Sequence, residues 1–239
     1  MPATKVFAGA ATVAALAAGG LGVPPADARA SQVRPVQELA MVLKGHKVFA
    51  GPSARSRRTG GVRAWRPITG SLTVLPVIAH ATARDGTRWL RVRMPGRPNG
   101  TKGWIARRST VLTTTTWSIV VRTSSRRVLV YRHGRLVRRF AGIVGKPSTP
   151  TPHGHFFVEE SVAMRPGSAG GPFALALSAR SDVLQEFEGG PGQIAIHGIA
   201  NLGGTLGTAA SHGCVRVSNR SVRWLAARIP AGAPVAIKR

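Results

Sequence analysis

The chain has 239 residues, enough to bury a sizeable core as one domain or as two small ones. Its 34 Lys and Arg against 8 Asp and Glu give a formal net charge of +26, while its single cysteine excludes any internal disulfide. Such a charge suits nucleic acid, an anionic envelope, or simply a solvated arginine-rich surface. The basic residues are scattered along the chain rather than gathered in one run. That pattern, together with the secretory signal that residues 1–30 resemble, argues against nucleic acid and leaves anionic wall polymers and the solvated surface.

Residues 1–30 read as a secretory signal. Lys5 precedes an Ala/Val/Leu/Gly run from Val6 to Val23, and Ala28-Arg29-Ala30 offers a small-x-small cleavage site. A retained anchor is the alternative, and it too would leave the rest of the chain outside the membrane. The expectation is an exported protein, at the cell wall or the outer side of the cytoplasmic membrane, with no stable membrane span once the signal is removed. Residues 31–39 read as a short tether.

Residues 40–113 hold short β-type segments separated by turn signals about every ten residues. Trp89-Leu90-Arg91-Val92-Arg93 alternates with period two. Gly86-Thr87-Arg88-Trp89-Leu90-Arg91-Val92 and the later Gly103-Trp104-Ile105 resemble bacterial SH3-like wall-associated domains. That resemblance implies a small β-barrel, acting as a wall-binding module or a spacer. Core packing is the expected use of Trp65, Trp89 and Trp104.

Residues 114–239 form the second unit. Trp117 to Arg122 and Val128 to Tyr131 read as strands, with His133-Gly134 as a hairpin turn. The prolines of Gly145 to Pro152 exclude a helix or a central strand and predict an ordered extended loop. Glu159, Glu160, Asp182, Glu186 and Glu188 are its acids, all expected at the surface; Glu159 and Glu160, as strand neighbours, should point to opposite faces. Asn219 is the expected cap of a helix carrying Val222, Leu225, Ala226 and Ile229 on one face. Pro234 to Ile237 reads as a closing strand.

The chemistry-bearing stretch runs from Ile194 to Asn219. It holds Cys214, with His212 two residues before it and His197 17 positions upstream (214 − 197). A thiol is a weak nucleophile at neutral pH until a nearby imidazole takes its proton, which the same imidazole can later return to a leaving amine. Ile194 and Ile196 share one strand face, so Ala195 and His197 share the other. The amides of Gly213 and Cys214 could form an oxyanion hole. A zinc site from His197, His212 and Cys214 is disfavoured, because His-x-Cys is not a usual ligand spacing.

His197-Gly198, then Ser211-His212-Gly213-Cys214-Val215-Arg216, then Ser218-Asn219 resemble the L,D-transpeptidase catalytic domain family. The resemblance extends through Val128 to Tyr131, Gly134, Gly145-Lys146-Pro147, Thr149 to Pro152, Gly154 and Phe156 upstream, and through Pro230, Gly232, Pro234 and Val235 downstream. With the SH3-like resemblance of the first unit, it implies a mainly β chain of two domains, an SH3-like barrel followed by a catalytic β-sandwich with one main helix. It further implies catalytic roles for Cys214, His197, His212 and Gly213, and substrate-binding or loop-holding roles for Ser211, Arg216 and Gly198. The substrate class it implies is peptidoglycan stem peptides, cross-linked without metal or other cofactor. An L,D-carboxypeptidase on the same scaffold and a non-catalytic wall-binding protein are the alternatives.

Overall fold

The structure, a computed structural model, describes residues 33–186 and 189–239. The signal segment expected over 1–30, the start of the tether and Glu188 lie outside the described residues. Among the described residues, no helix is long and apolar enough to cross a membrane.

The first sheet comprises β1 (Gln37–Val42), β2 (His46–Phe49), β3 (Arg58–Val62), β4 (Val74–Thr82), β5 (Arg88–Arg93), β6 (Lys102–Ala106) and β7 (Thr110–Thr115), in the order β3-β2-β6-β5-β4-β1-β7. The expected tether ends early, because Gln37, Glu38 and Leu39 pair with β7 and the buried Leu39 also pairs with β4. The period-two pattern of β5 buries Leu90 and Val92 in the core of this sheet. Trp89 is buried too, edge-on to Phe49 at 5.6 Å. Trp65 departs from the core role expected of it: it forms an isolated bridge with Leu72 and is 60% exposed.

The second sheet comprises β8 (Trp117–Arg122), β9 (Arg127–Arg132), β10 (Arg135–Ala141), β12 (Gly154–Ala163), β13 (Phe173–Arg180), β14 (Gln193–His197), β16 (Val215–Arg216) and β17 (Pro234–Lys238). Its order is β10-β9-β8-β17-β12-β13-β14-β16, while β11 (Val144–Gly145) and β15 (Ala209–Ser211) form a small parallel pair beside it. The helix, α1 (Asn219–Ala226), buries Val222 and Leu225. His133 and Gly134 both take positive φ, +50° and +74°, as a two-residue turn between paired strands demands. Ser218, not Asn219, caps α1, its Oγ accepting from the amide of Ser221 at 3.1 Å.

Strand β12 organises both cores. Its first half pairs with β17 and its second with β13, with a register shift between Val158 and Glu160. Phe156 and Val158 face the core of the second sheet, while Phe157 joins the core of the first and is 1% exposed. A strand buried on both sides reads as an unbroken apolar run, which explains Phe156-Phe157-Val158.

Glu159 and Glu160 overturn the surface role expected of them, since each is only 2% exposed. The irregularity in β12 removes strict alternation, so both carboxylates reach Arg66 of the first sheet's connecting segment. Glu159 also accepts from Arg180 and Gln193, each at 3.0 Å. Glu160 accepts from the hydroxyl of Thr69 at 2.8 Å and from its amide at 3.1 Å. Buried carboxylates survive only when paired and hydrogen-bonded, and here the partners come from both sheets.

Candidate functional site

The candidate residues converge where β14 and β16 run parallel. Ile196 lies opposite Val215, and His197 opposite Arg216. Ile194, Ile196, Val215 and Val217 all enter the core. Alternation therefore turns Ala195, His197, Cys214 and Arg216 to the other face of the same two strands. Cys214 stands opposite Ala195, whose amide donates to Sγ at 3.4 Å. His197 follows two residues along, a Cα separation of roughly 8 Å from strand rise and spacing, which an imidazole side chain can span.

Two glycines hold the ring of His197. Its Nδ1 lies 2.8 Å from the carbonyl of Gly198. A carbonyl can only accept, so Nδ1 carries the hydrogen and the Nε2 lone pair of the neutral ring remains basic. Gly170 also packs against the ring, at φ +78°, where an added Cβ would lie 2.6 Å from Nδ1. Gly198 is fixed in turn: its amide donates to the carbonyl of Gly170 at 2.8 Å, and a Cβ on it would lie 2.0 Å from the carbonyl oxygen of Gly171.

The cysteine loop is tied internally. Ser211, fully buried, donates through Oγ to the carbonyl of Cys214 at 2.5 Å and accepts from the amide of Gly213 at 3.2 Å. That amide, expected to face a substrate oxyanion, is thus engaged within the loop. Gly213 serves the turn itself at φ +117°, its missing Cβ leaving room for Ile194. His212 is exposed, and Cys214 is half-buried. Arg216 donates to the carbonyl of Gly203 at 2.7 Å and pairs through its backbone with Ile143, so it anchors the loop after Gly198.

Several supporting residues escape sequence reasoning. Thr151 donates to the carbonyl of Gly213 at 2.8 Å and accepts from the amide of Gly145 at the same distance. Thr149 donates to the carbonyl of Ser211 at 3.2 Å. The proline loop thereby becomes a brace under the cysteine loop. Its prolines predicted its order but not its target. Asn219, freed from capping, accepts the amides of Ile199 and Ala200 at 3.0 and 3.2 Å. Among the described residues no group of three His, Cys, Asp or Glu could hold a metal ion. An open depression of about 460 Å³ is lined by Arg97, Pro98, Asn99, Ser181, Asp182 and Gln185, none of them among the candidate residues.

A sequence profile of the YkuD family, the L,D-transpeptidase catalytic domain, matches residues 116–237. This chain belongs to that family. The match covers the second sheet except its last residue, Lys238, together with α1 and all seven candidate residues. A Bacillus licheniformis YkuD protein, named as an L,D-transpeptidase, is 34% identical over 124 residues, covering 51% of this chain and 65% of that protein. Its Bacillus subtilis counterpart is 29% identical over 123 residues, covering 52% and 66%. The chain thus spans just under two thirds of the length of these curated relatives. A crystal structure of an L,D-transpeptidase from Mycobacterium tuberculosis overlaps 70% of this chain and 90% of its own, at 17% identity and a TM-score of 0.43.

Proposed function

We propose that this family member is an exported peptidoglycan L,D-transpeptidase with Cys214 as nucleophile. The observation that carries the reading is the parallel pairing of β14 with β16, which turns His197 and Cys214 to one face while the Gly198 carbonyl holds Nδ1. In the proposed reaction Nε2 of His197 takes the Sγ proton, and the thiolate attacks the carbonyl joining the third and fourth residues of a tetrapeptide stem. The amide of Cys214, with His212, receives the developing oxyanion. The tetrahedral intermediate collapses to a thioester, and the D-amino acid leaves as its amine with the proton held by His197. The side-chain amine of a second stem then attacks the thioester, gives up its proton through His197, and regenerates the thiol in a 3→3 cross-link. Ser211 and Arg216 keep the cysteine loop in shape, consistent with their bonds to Cys214 and Gly203.

Water in place of the second amine would make the same site an L,D-carboxypeptidase. Disaccharide-tetrapeptide supplied to the purified protein distinguishes the outcomes. Cross-linked dimer supports transfer, tripeptide monomer supports hydrolysis, and unchanged substrate supports a non-catalytic wall-binding protein. A carbapenem should add covalently to the native chain and not to Cys214→Ala; an equal adduct on that variant, read by intact mass, would remove the nucleophile from this scheme.

A further inference from the structure

The free edge of the second sheet carries a cluster of arginines that the catalytic reading leaves unused. Arg132 lies over the indole of Trp117, its guanidinium carbon 5.2 Å from the ring centre. Arg138 and Arg228 lie over Trp224 at 5.8 and 4.6 Å. Trp224 packs edge-on to both Trp117 and Phe140, at 5.9 and 5.7 Å. One aromatic cluster therefore joins β8, β9, β10 and α1 and holds three exposed guanidiniums at fixed positions.

The charges around it are arranged against one another. Arg132 pairs directly with Arg135 across the β9–β10 ladder, and Arg122 with Arg127 across β8–β9. Like charges directly opposite on a sheet destabilise it. Arg122 donates to the main-chain oxygen of Arg239 at 3.4 Å, but among the described residues no side-chain carboxylate pairs with these arginines: the ion pairs join Arg66 to Glu159 and Glu160, Arg180 to Glu159, and His80 to Glu38. A polyanion laid along this edge would relieve that repulsion. Arg228 gives one N–H to the carbonyl of Trp224 at 3.4 Å, and a guanidinium so held retains further donors in the fork that matches phosphate oxygens.

We infer that the aromatic-backed arginine edge formed by Arg132, Arg138 and Arg228 is a docking surface for a linear phosphodiester polymer of the polyol-phosphate class in the cell envelope. The indole faces are covered by guanidiniums, so they offer no platform for stacking nucleic-acid bases or for entry into lipid. The assignment to an envelope polymer rests on the proposed export to the wall, whereas the surface is independent of the thiol chemistry.

The test uses the full chain and immobilised poly(glycerol phosphate) over a salt series. Arg132→Gln/Arg138→Gln/Arg228→Gln is compared with Arg57→Gln/Arg84→Gln/Arg108→Gln, which removes the same charge from exposed sites on the first sheet's side. The edge triple should weaken binding by about tenfold or more and flatten the log-affinity against log-salt slope by about two to three, as expected when that many phosphate contacts are lost. The control triple should change affinity by about twofold or less on the same reasoning. Equal losses in the two triples, or no binding by the native chain at physiological salt, overturn the proposal. So does tighter binding to anionic lipid vesicles or duplex DNA that depends on the same three residues. Should the edge triple fail to fold, Arg228→Gln alone reads the comparison, with a loss of about threefold expected for one phosphate contact. Cys214→Ala should bind the polymer as the native chain does, so failure of the catalytic reading and failure of this one remain distinguishable.

Discussion

Arg66 and Glu159 form an ion pair that crosses from the first sheet to the second, with side chains 13% and 1% exposed. Glu159 lies at the irregularity of β12 and also holds Arg180 and, through Gln193, the first residue of β14. The first sheet is thus tied to the strand that presents His197. Replacing Glu159 with Ala strands buried guanidinium charge and should cost about 3–5 kcal/mol of unfolding free energy. Glu38→Ala breaks only the exposed pair with His80 and should cost about 0–1 kcal/mol. Urea unfolding of both variants checks the contrast, and similar losses would show that the Glu159 network adds nothing.

The family match begins at residue 116, yet the second sheet does not end its packing there. Phe157 completes the core of the first sheet, and Leu39 and Val74 close on Gly232, where a Cβ would lie 2.9 and 2.8 Å from their side chains. A fragment of residues 116–239 should therefore aggregate or unfold without a sharp transition. Size-exclusion chromatography with circular dichroism tests this, and a monomeric fragment melting cooperatively would refute it.

Gly170 and Gly167 have nearly the same φ, +78° and +79°, but only Gly170 packs against His197. Alanine at either position bears the strain of a left-handed residue, about 1 kcal/mol. Gly170→Ala should in addition displace the imidazole and slow carbapenem acylation by about 10- to 100-fold. Gly167→Ala, whose Cβ meets open space, should acylate like the native protein. Stopped-flow acylation of the two variants separates strain from displacement.

Burial holds the imidazole of His46 below its ordinary value of 6.5; Arg108 pushes the same way, and a bond to the backbone of Ser109 opposes the shift. Its Nε2 is buried without a hydrogen-bond partner. A depressed pKa means that the unfolded chain takes up a proton first on acidification. The contribution is therefore fully present above pH 6.5 and is lost as pH falls through the lower folded value. Melting temperature should fall between pH 7 and pH 5, and His46→Gln should flatten that slope. An unchanged slope would remove His46 as its source.

What the chain states for itself is local. The Ile194-Ile196 alternation put His197 opposite the core, the His133-Gly134 pair announced its turn, and the Ser211-to-Arg216 motif announced its family, because period and backbone preference act over a few residues. Tertiary structure decided the rest. Which carboxylates are buried depended on an irregularity in β12 and on Arg66, 93 positions away. The target of the Thr149 and Thr151 hydroxyls lay 62 positions on, in the cysteine loop. Ser218 took the cap because Asn219 was needed by the amides of Ile199 and Ala200. Such pairings form only once distant strands meet, and no local pattern in the sequence encodes which partner arrives.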